Sequence, residues 1–487
     1  MKNKSLILSL ISVIFICCNP NQKKISKSEI FKTLSASETG IDFQNLLSYR
    51  TELNIIEYLY YYNGGGVAVG DLNNDGLEDI YFTGNQVPDQ LYLNLGSLKF
   101  KNISIESGII SDNSWSSGVT MEDINGDGYL DIYVSKVSPA SPQAVKNKLY
   151  INNGDLTFTE KAREFGLDFS GFSTQATFFD YDRDGDLDMY LLNHAIHTVR
   201  SYGTSKKRME SDSLSGDRMF ENRINENDKK FIDVTKSSKI YDTPLGYGLA
   251  VTTTDINNDG YLDIYVGNDF HENDYIYINN RDKTFSESSK DNLVHMSHFT
   301  MGVDVADLNN DGFLDIFTTD MMPFDSKVLL KSGGEDTDKI SRIKSEFGFQ
   351  KQFSRNNFQL NRGDGTYSEI AFKTNTYASD WSWGVLLQDF NVDGKNDIFI
   401  SNGIYKRPND LDYINYLSNI DFTNYNNSQQ DEIKNELINK IPTNKISNIL
   451  FTNQGNLNFK RNAVGEPNYS TGAAYSDLDN DGDLEII

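Results

Sequence analysis

Residues 64–487 are dominated by short runs in which apolar side chains fall on every second position, broken by clusters of Asp, Asn and Gly. A period of two marks half-buried β-strands. The runs come in units. Val67/Val69, Val119/Met121, Ala176/Phe178, Val251/Thr253, Val303/Val305, Val385/Leu387 and Ala473/Tyr475 open seven of them. A second strand follows each acidic turn, as in Ile80-Tyr81-Phe82 or Ile264-Tyr265-Val266. A third ends in Asn94, Asn152, Asn222, Asn279, Asn361 or Asn453, and a fourth opens with Phe100, Phe158, Phe231, Phe285, Tyr367 or Phe459. Four strands joined as consecutive hairpins make one propeller blade. The pattern predicts an all-β, seven-bladed β-propeller of four-stranded blades over residues 31–487, with short helical insertions. Phe31-Lys32-Thr33-Leu34-Ser35 repeats the fourth-strand pattern of Phe100-Lys101-Asn102-Ile103-Ser104. The N-terminus is thus expected to supply the fourth strand of the seventh blade, and the C-terminus its first two. The third strand of that blade is missing, which makes it incomplete and reads as the N-terminal portion of a longer protein.

The turn between first and second strands carries the chemistry. One nine-residue window recurs seven times. Position 1 is Asp71, Asp123, Asp180, Asp255, Asp307, Asp389 and Asp477. Position 3 is Asn73, Asn125, Asp182, Asn257, Asn309, Asn391 and Asp479. Position 5 is Asp75, Asp127, Asp184, Asp259, Asp311, Asp393 and Asp481. Position 9 is Asp79, Asp131, Asp188, Asp263, Asp315, Asp397 and Glu485. Oxygen donors packed this closely suit a hard cation such as Ca²⁺, which offsets their mutual repulsion. A Gly at position 6, such as Gly260, permits the sharp turn. Position 7 varies in type (Leu77, Tyr129, Asp186, Tyr261, Phe313, Lys395, Asp483), as befits a ligand acting through its backbone carbonyl. The windows are not EF-hands, which need Glu at position 12, where Phe82 and Val266 stand. Up to seven structural Ca²⁺ ions are expected. Plain Asp-Gly hairpin turns are the simpler alternative.

Charge supports the ion reading. The chain of 487 residues has a net charge of −25, of which the seven windows hold −24. Outside them acid and base balance, so no basic stripe remains to bind nucleic acid. The two cysteines, Cys17 and Cys18, are adjacent and follow an apolar run from Leu6 to Ile16 behind Lys2 and Lys4. That run is too short to span a bilayer. It predicts a lipoprotein signal over residues 1–18, lipidation at Cys18 with Cys17 as the alternative, and a linker over 19–30. A plain secretory signal is the competing reading. Membrane contact is expected through the lipid alone, at the bacterial outer membrane or cell surface.

Two further patterns concern ligands. An aromatic stands eight residues before six of the seven windows: Trp115, Phe172, Tyr247, Phe299, Trp381 and Tyr469, with Tyr62 near the first. These residues either ring the axis for stacking a ligand or pack between blades; packing is preferred, because aromatics dominate core burial. The distance from position 9 to the third-strand Asn is 15, 21, 34, 16, 46 and 56 residues along the chain, so the connection between second and third strands is what grows. The longest includes a helical pattern at Ile433, Leu437 and Ile441. Long loops on a rigid scaffold commonly bind ligands. Catalytic signals are weak. His194-x-x-His197, His295-x-x-His298 and His271-Glu272-Asn273-Asp274 match no metalloprotease form, and no nucleophile elbow is present.

The Asp-x-Asn-x-Asp-Gly-x-x-Asp windows resemble the FG-GAP/VCBS repeats of integrin α-like propellers. Gly64-Gly65-Gly66-Val67-Ala68-Val69-Gly70-Asp71 and Ser297-His298-Phe299-Thr300-Met301-Gly302-Val303-Asp304 look like Bacteroidota surface lipoproteins of the cartilage-acidic-protein-like, ASPIC/UnbV group. The resemblance implies calcium binding, adhesion or ligand recognition, and a C-terminal domain of the protein's own as a further partner. It implies no reaction. The sequence reading is a non-catalytic adhesion or recognition module for an extracellular glycan or protein. The alternative is the scaffold of a surface enzyme acting on glycans.

Overall fold

A computed structural model describes residues 26–27, 30–50, 53–109, 114–139, 141–196, 203–226, 230–334, 336–420 and 426–487. The signal segment with Cys17 and Cys18, and most of the linker, lie outside the described residues. No helix among those described is long and apolar enough to cross a membrane.

Six blades follow in sequence, each with four antiparallel strands in chain order. Blade one comprises Val67–Gly70, Asp79–Phe82, Gln90–Asn94 and Phe100–Asn102. The first strands of the next five blades are Trp115–Glu122, Ser173–Phe179, Gly248–Thr254, Gly302–Ala306 and Ser382–Gln388. In each hairpin, position 9 pairs with the residue just before position 1: Gly70 with Asp79, Thr254 with Asp263, Gln388 with Asp397. One register is thus repeated around the ring, and it keeps the apolar set of every strand on the same faces.

The expected seventh blade is not a blade. The described residues form six blades, five of four strands and a sixth whose four strands are joined at the outer edge by Ser26–Lys27, parallel to Asn462–Ala463, and the seventh position holds only the hairpin Tyr475–Ser476 with Glu485–Ile486. Residues 31–35 are not a strand, contrary to the sequence pattern. Without a third strand beside them they have no ladder to join, and a fourth strand cannot form alone. Instead Phe31 packs edge-on against Phe390 of blade six at 5.9 Å, and Phe43 stacks on Phe82 of blade one at 5.0 Å.

Apolar clusters bind each blade to the next, and the hairpin closes the circle. Tyr475, Leu484 and Ile486 pack with Phe390 and Phe399 of blade six, whereas Leu478 and Ile487 join Ile80 and Tyr92 of blade one. Neighbouring first strands approach so closely that a Cβ on Gly118 would lie 2.6 Å from the Thr174 carbonyl oxygen.

The end of the ring away from the acidic loops is filled. A short 3-10 helix, Leu59–Tyr62, enters the axis ahead of blade one. Tyr58, Tyr60, Tyr61 and Tyr62 form one buried cluster with Trp115, Phe172, Tyr247, Trp381 and Trp383. The helix Asn427–Lys440 of blade six caps it with Leu437, Ile438 and the following Ile441.

Candidate metal centres

All seven acidic loops adopt one geometry, set by their own side chains. The position-1 carboxylate accepts from the backbone N–H of positions 5 and 6: Asp255 takes Asp259 N–H at 2.8 Å and Gly260 N–H at 2.7 Å. Asp477 does the same with Asp481 and Gly482, both at 3.0 Å. The position-5 carboxylate then accepts from position 7, as Asp75 does from Leu77 at 2.9 Å. Position 9 lies deeper and ties the loop to the blade. Asp79 Oδ2 accepts from Leu72 N–H at 3.1 Å, and its Oδ1 from Asn94 N–H of the third strand at 2.8 Å.

These bonds order the turn but leave acceptor capacity, since each carboxylate offers about four lone-pair sites. Asp180, Asp182 and Asp188 bring ligand oxygens within 4.8 Å of one another, and so do Asp477, Asp479 and Glu485. Asn391 Oδ1 and Asp479 Oδ1, both at position 3, are buried without a hydrogen-bond donor. Such a set, all oxygen and partly unsatisfied, fits a hard divalent ion. Burial pushes the position-9 aspartates up, to about 7 for Asp79, Asp131, Asp263, Asp315 and Asp397 and to about 8 for Asp188. Their backbone hydrogen bonds pull the other way, and the neighbouring position-1 and position-5 carboxylates add repulsion in Asp79. A cation would relieve that repulsion.

Two loops also meet cationic side chains from blade four. Lys283 Nζ lies 2.5 Å from Asp182 and 2.6 Å from Glu221, and Arg281 reaches Asp259 at 2.9 Å. The seven loops are therefore alike in backbone and unlike in charge.

The sequence named the third-strand asparagines only as strand ends. They are the stitches of the ring. Asn152 Nδ2 donates to the Leu72 carbonyl of blade one at 2.8 Å, Asn279 to Tyr181 of blade three at 2.7 Å, and Asn453 to Leu308 of blade five at 2.8 Å. Each of these carbonyls is position 2 of the preceding acidic loop. Asn94 makes the same bond to Leu478 of the hairpin at 2.8 Å. Asn361 departs from the rule and bonds Tyr367 Oη at 3.2 Å. A second missed set stands five residues before these asparagines. Asp89, Asp217 and Asp274 each accept a second-strand tyrosine hydroxyl, from Tyr81, Tyr190 and Tyr265. The signal was present, as an Asp or Asn at the start of each third strand, but only the partners give it meaning.

The other candidates are structural. The aromatics Trp115, Phe172, Tyr247 and Trp381 are buried in the axial cluster, Phe299 is at its edge, and Tyr469 packs on Tyr405 at 5.4 Å. They do not form an open stacking ring, because Tyr58–Tyr62 fills the space between them. His194 is buried and meets Tyr58 Oη at 3.0 Å; His197 lies outside the described residues. His298 contacts Lys344 Nζ at 2.8 Å, whereas His295 faces Glu369 at 3.6 Å, so this pair does not share one centre. Glu272 is fully buried against Arg208 at 2.5 Å, and Asp274 holds Tyr265 and Thr300.

The repeated loop and its strands can be compared with known proteins. Residues 58–134, 140–191 and 255–318 match the FG-GAP-like repeat. The matched stretches contain five of the seven acidic loops. Cartilage acidic protein 1 of Xenopus tropicalis is 26% identical over 241 residues, spanning 48% of this chain and 33% of that protein. The Mus musculus protein of the same name is 30% identical over 136 residues, 26% of this chain and 20% of that one. The Homo sapiens protein is 25% identical over 208 residues, 42% of this chain and 28% of that one. The chain thus spans a third or less of the length of these relatives. Among solved structures, the V. cholerae biofilm matrix protein Bap1 aligns at 13% identity and a TM-score of 0.30, over 63% of this chain and 39% of that one. The FG-GAP-like repeats and the cartilage acidic protein relatives support an FG-GAP β-propeller.

Proposed function

We propose that this chain is a calcium-stabilised, non-catalytic recognition module, exported and lipid-anchored at the bacterial surface. The observation that carries the calcium reading is the seven-fold loop, with its position-3 oxygens left unsatisfied in the last two copies. Positions 1, 3, 5 and 9 would hold the ion, with the position-7 carbonyl. Bound there, Ca²⁺ supplies charge compensation and register, so binding free energy becomes folding free energy.

Recognition is assigned to the opposite face, where the insertions of blades five and six stand. There the helices Ser326–Leu329 and Leu411–Ser418 leave Leu329, Leu330, Leu411 and Ile414 exposed. Exposed apolar side chains on a rigid scaffold suit a protein or glycan ligand. His194, His298, Glu272 and Asp274 are engaged with Tyr58, Lys344, Arg208 and Tyr265, which supports a structural role for them.

The test is a glycan and protein array run beside a hydrolase panel. Saturable capture without turnover supports the module. Turnover that disappears with changes to the insertions would replace it with an enzyme scaffold. Mass spectrometry of the mature N-terminus decides the anchor: a diacylglyceryl adduct on Cys18 is expected.

A further inference from the structure

We propose that the fourth acidic loop, Asp255–Asp263, is closed by two of the protein's own guanidinium groups, those of Arg281 and Arg183, and takes no calcium. The inference rests on the calcium reading of the other loops given above. It makes blade four the part of the acidic end that keeps its register when calcium is scarce.

Loop four differs from its counterparts in the side chains it presents. The position-5 carboxylate is exposed at Asp75, Asp127, Asp184, Asp311, Asp393 and Asp481, but half-buried at Asp259. Position 3 is the reverse, half-buried in the other loops and exposed at Asn257. In loops one, two and five the position-3 amide donates to the position-5 carboxylate, at 3.0, 2.9 and 2.8 Å. In loop four the Arg281 guanidinium reaches Asp259 Oδ2 at 2.9 Å. A hard cation needs the oxygens of positions 3 and 5 turned towards one point. Loop four turns the first out to water and gives the second to a cation it already has.

Both arginines stand where the repeat elsewhere uses glycine or asparagine. Arg281 lies two residues after Asn279, at the end of the third strand. Gly96, Gly154, Gly363 and Gly455 hold that place in blades one, two, five and six, with φ between 69° and 82°. Arg281 keeps the left-handed backbone, at φ 64°, which disfavours a residue with a Cβ. Arg183 is position 4 of loop three, also at φ 64°. At position 4 Asn74, Asn310 and Asn480 donate to the position-6 carbonyl of the next loop, that of Gly128, Gly394 and Gly76, at 3.0, 3.0 and 2.7 Å. Arg183 sends a guanidinium the same way: a Cβ on Gly260 would lie 3.5 Å from its Nη1. The Arg183 and Arg281 groups sit 5.1 and 5.6 Å from the centre of the Tyr261 ring, which holds both beside the loop. Two fixed positive charges thus face the three carboxylates of Asp255, Asp259 and Asp263. A calcium ion would have to displace one of them and meet the repulsion of the other. Loop three is not closed in this way. Lys283 meets Asp182, but Asp180, Asp182 and Asp188 still gather within 4.8 Å, and Asp184 stays exposed.

The experiment counts calcium ions on the whole chain by native mass spectrometry across a range of free Ca²⁺. Arg281→Gly installs the residue of four other blades. It should bind one ion more than the wild type at the same free Ca²⁺, with the affinity of that site raised at least about tenfold. Misfolding cannot produce such a gain. Arg281→Lys, which keeps the charge, should leave the count as in the wild type. Adding Asp259→Asn to Arg281→Gly should cancel the gain and so place the extra ion in loop four. In chelator, hydrogen exchange at Gly260 should be slower than at Gly76 in the wild type, and Arg281→Gly should erase the difference. Seven equivalent ions on the wild type, or a count unchanged in Arg281→Gly, would overturn the inference and leave the calcium reading standing. No ion on either protein would overturn both.

Discussion

The two ends of the ring are built on opposite principles. At the acidic end seven loops repeat one set of bonds, from Asp71 to Glu485, and each position has a counterpart in the next blade. At the other end an aromatic recurs eight residues before six of the seven loops, but what covers it does not recur. The Tyr58–Tyr62 plug, the helix Asn427–Lys440 and the buried pair Arg407–Asp380, at 2.7 Å, occur once each. Repetition at one end spreads stability over equivalent sites. Uniqueness at the other concentrates it in one aromatic cluster.

If that contrast is right, metal removal should produce the largest effect, and only through the loops. Occupancy at about 100 times the dissociation constant adds roughly 2.7 kcal/mol for each independent site. Several sites would rival the whole stability of an ordinary domain, about 5–15 kcal/mol. Chelation is expected to lower the melting temperature strongly, with recovery on adding Ca²⁺, read by calorimetry. An unchanged melting curve in metal-free protein would reduce the loops to plain turns.

Next comes the axial core. Trp381 is buried under Arg407, whose guanidinium sits 5.6 Å from its ring. Trp381→Ala should cost about 3–5 kcal/mol. The contrast requires that calcium stoichiometry, measured by titration on the folded fraction, stay the same.

Acid should act on the plug through His194. Burial holds this imidazole down at about 4, against 6.5 in the unfolded chain. The unfolded chain therefore takes up the proton first. Stability from this group is complete above pH 6.5 and falls as pH drops towards 4, by at most about 3 kcal/mol. Denaturant titrations of the wild type and His194→Gln across that range should differ in slope, with the variant flatter.

The smallest expected effect is on a single stitch. Asn152→Ala removes the bond to the Leu72 carbonyl and should cost about 1–2 kcal/mol. Hydrogen exchange should rise at the seam between blades one and two, leaving the plug protected.

The same contrast explains what could be read from the sequence. Strand order, blade boundaries and the loop residues were legible because each was stated several times over, and a period of two is hard to mistake. The helix at Ile433, Leu437 and Ile441 was legible as a helix, but its place over the axis was not. The plug was invisible, since Tyr58-Leu59-Tyr60-Tyr61-Tyr62 has no counterpart in any other blade. The stacking ring of aromatics was correctly doubted, but its filling came from outside the repeats. The seventh blade was over-read. The Phe31 segment carries the side chains of a fourth strand, but strand identity depends on a neighbour, and side-chain pattern alone does not provide one.

The plug also sets an order of events during folding. Tyr58 bonds His194, 136 residues onward, and Tyr60 bonds Asp269, 209 residues onward, at 3.3 Å. Contacts so distant along the chain must wait for large loops to close, and folding slows as they multiply. A nascent chain emerging at roughly 5–20 residues per second makes the tyrosines long before the blades that receive them. For that interval the four tyrosines Tyr58, Tyr60, Tyr61 and Tyr62 stay in water, beside blade one but without their socket. The axis is therefore the first part of the ring to be synthesised and among the last to be locked.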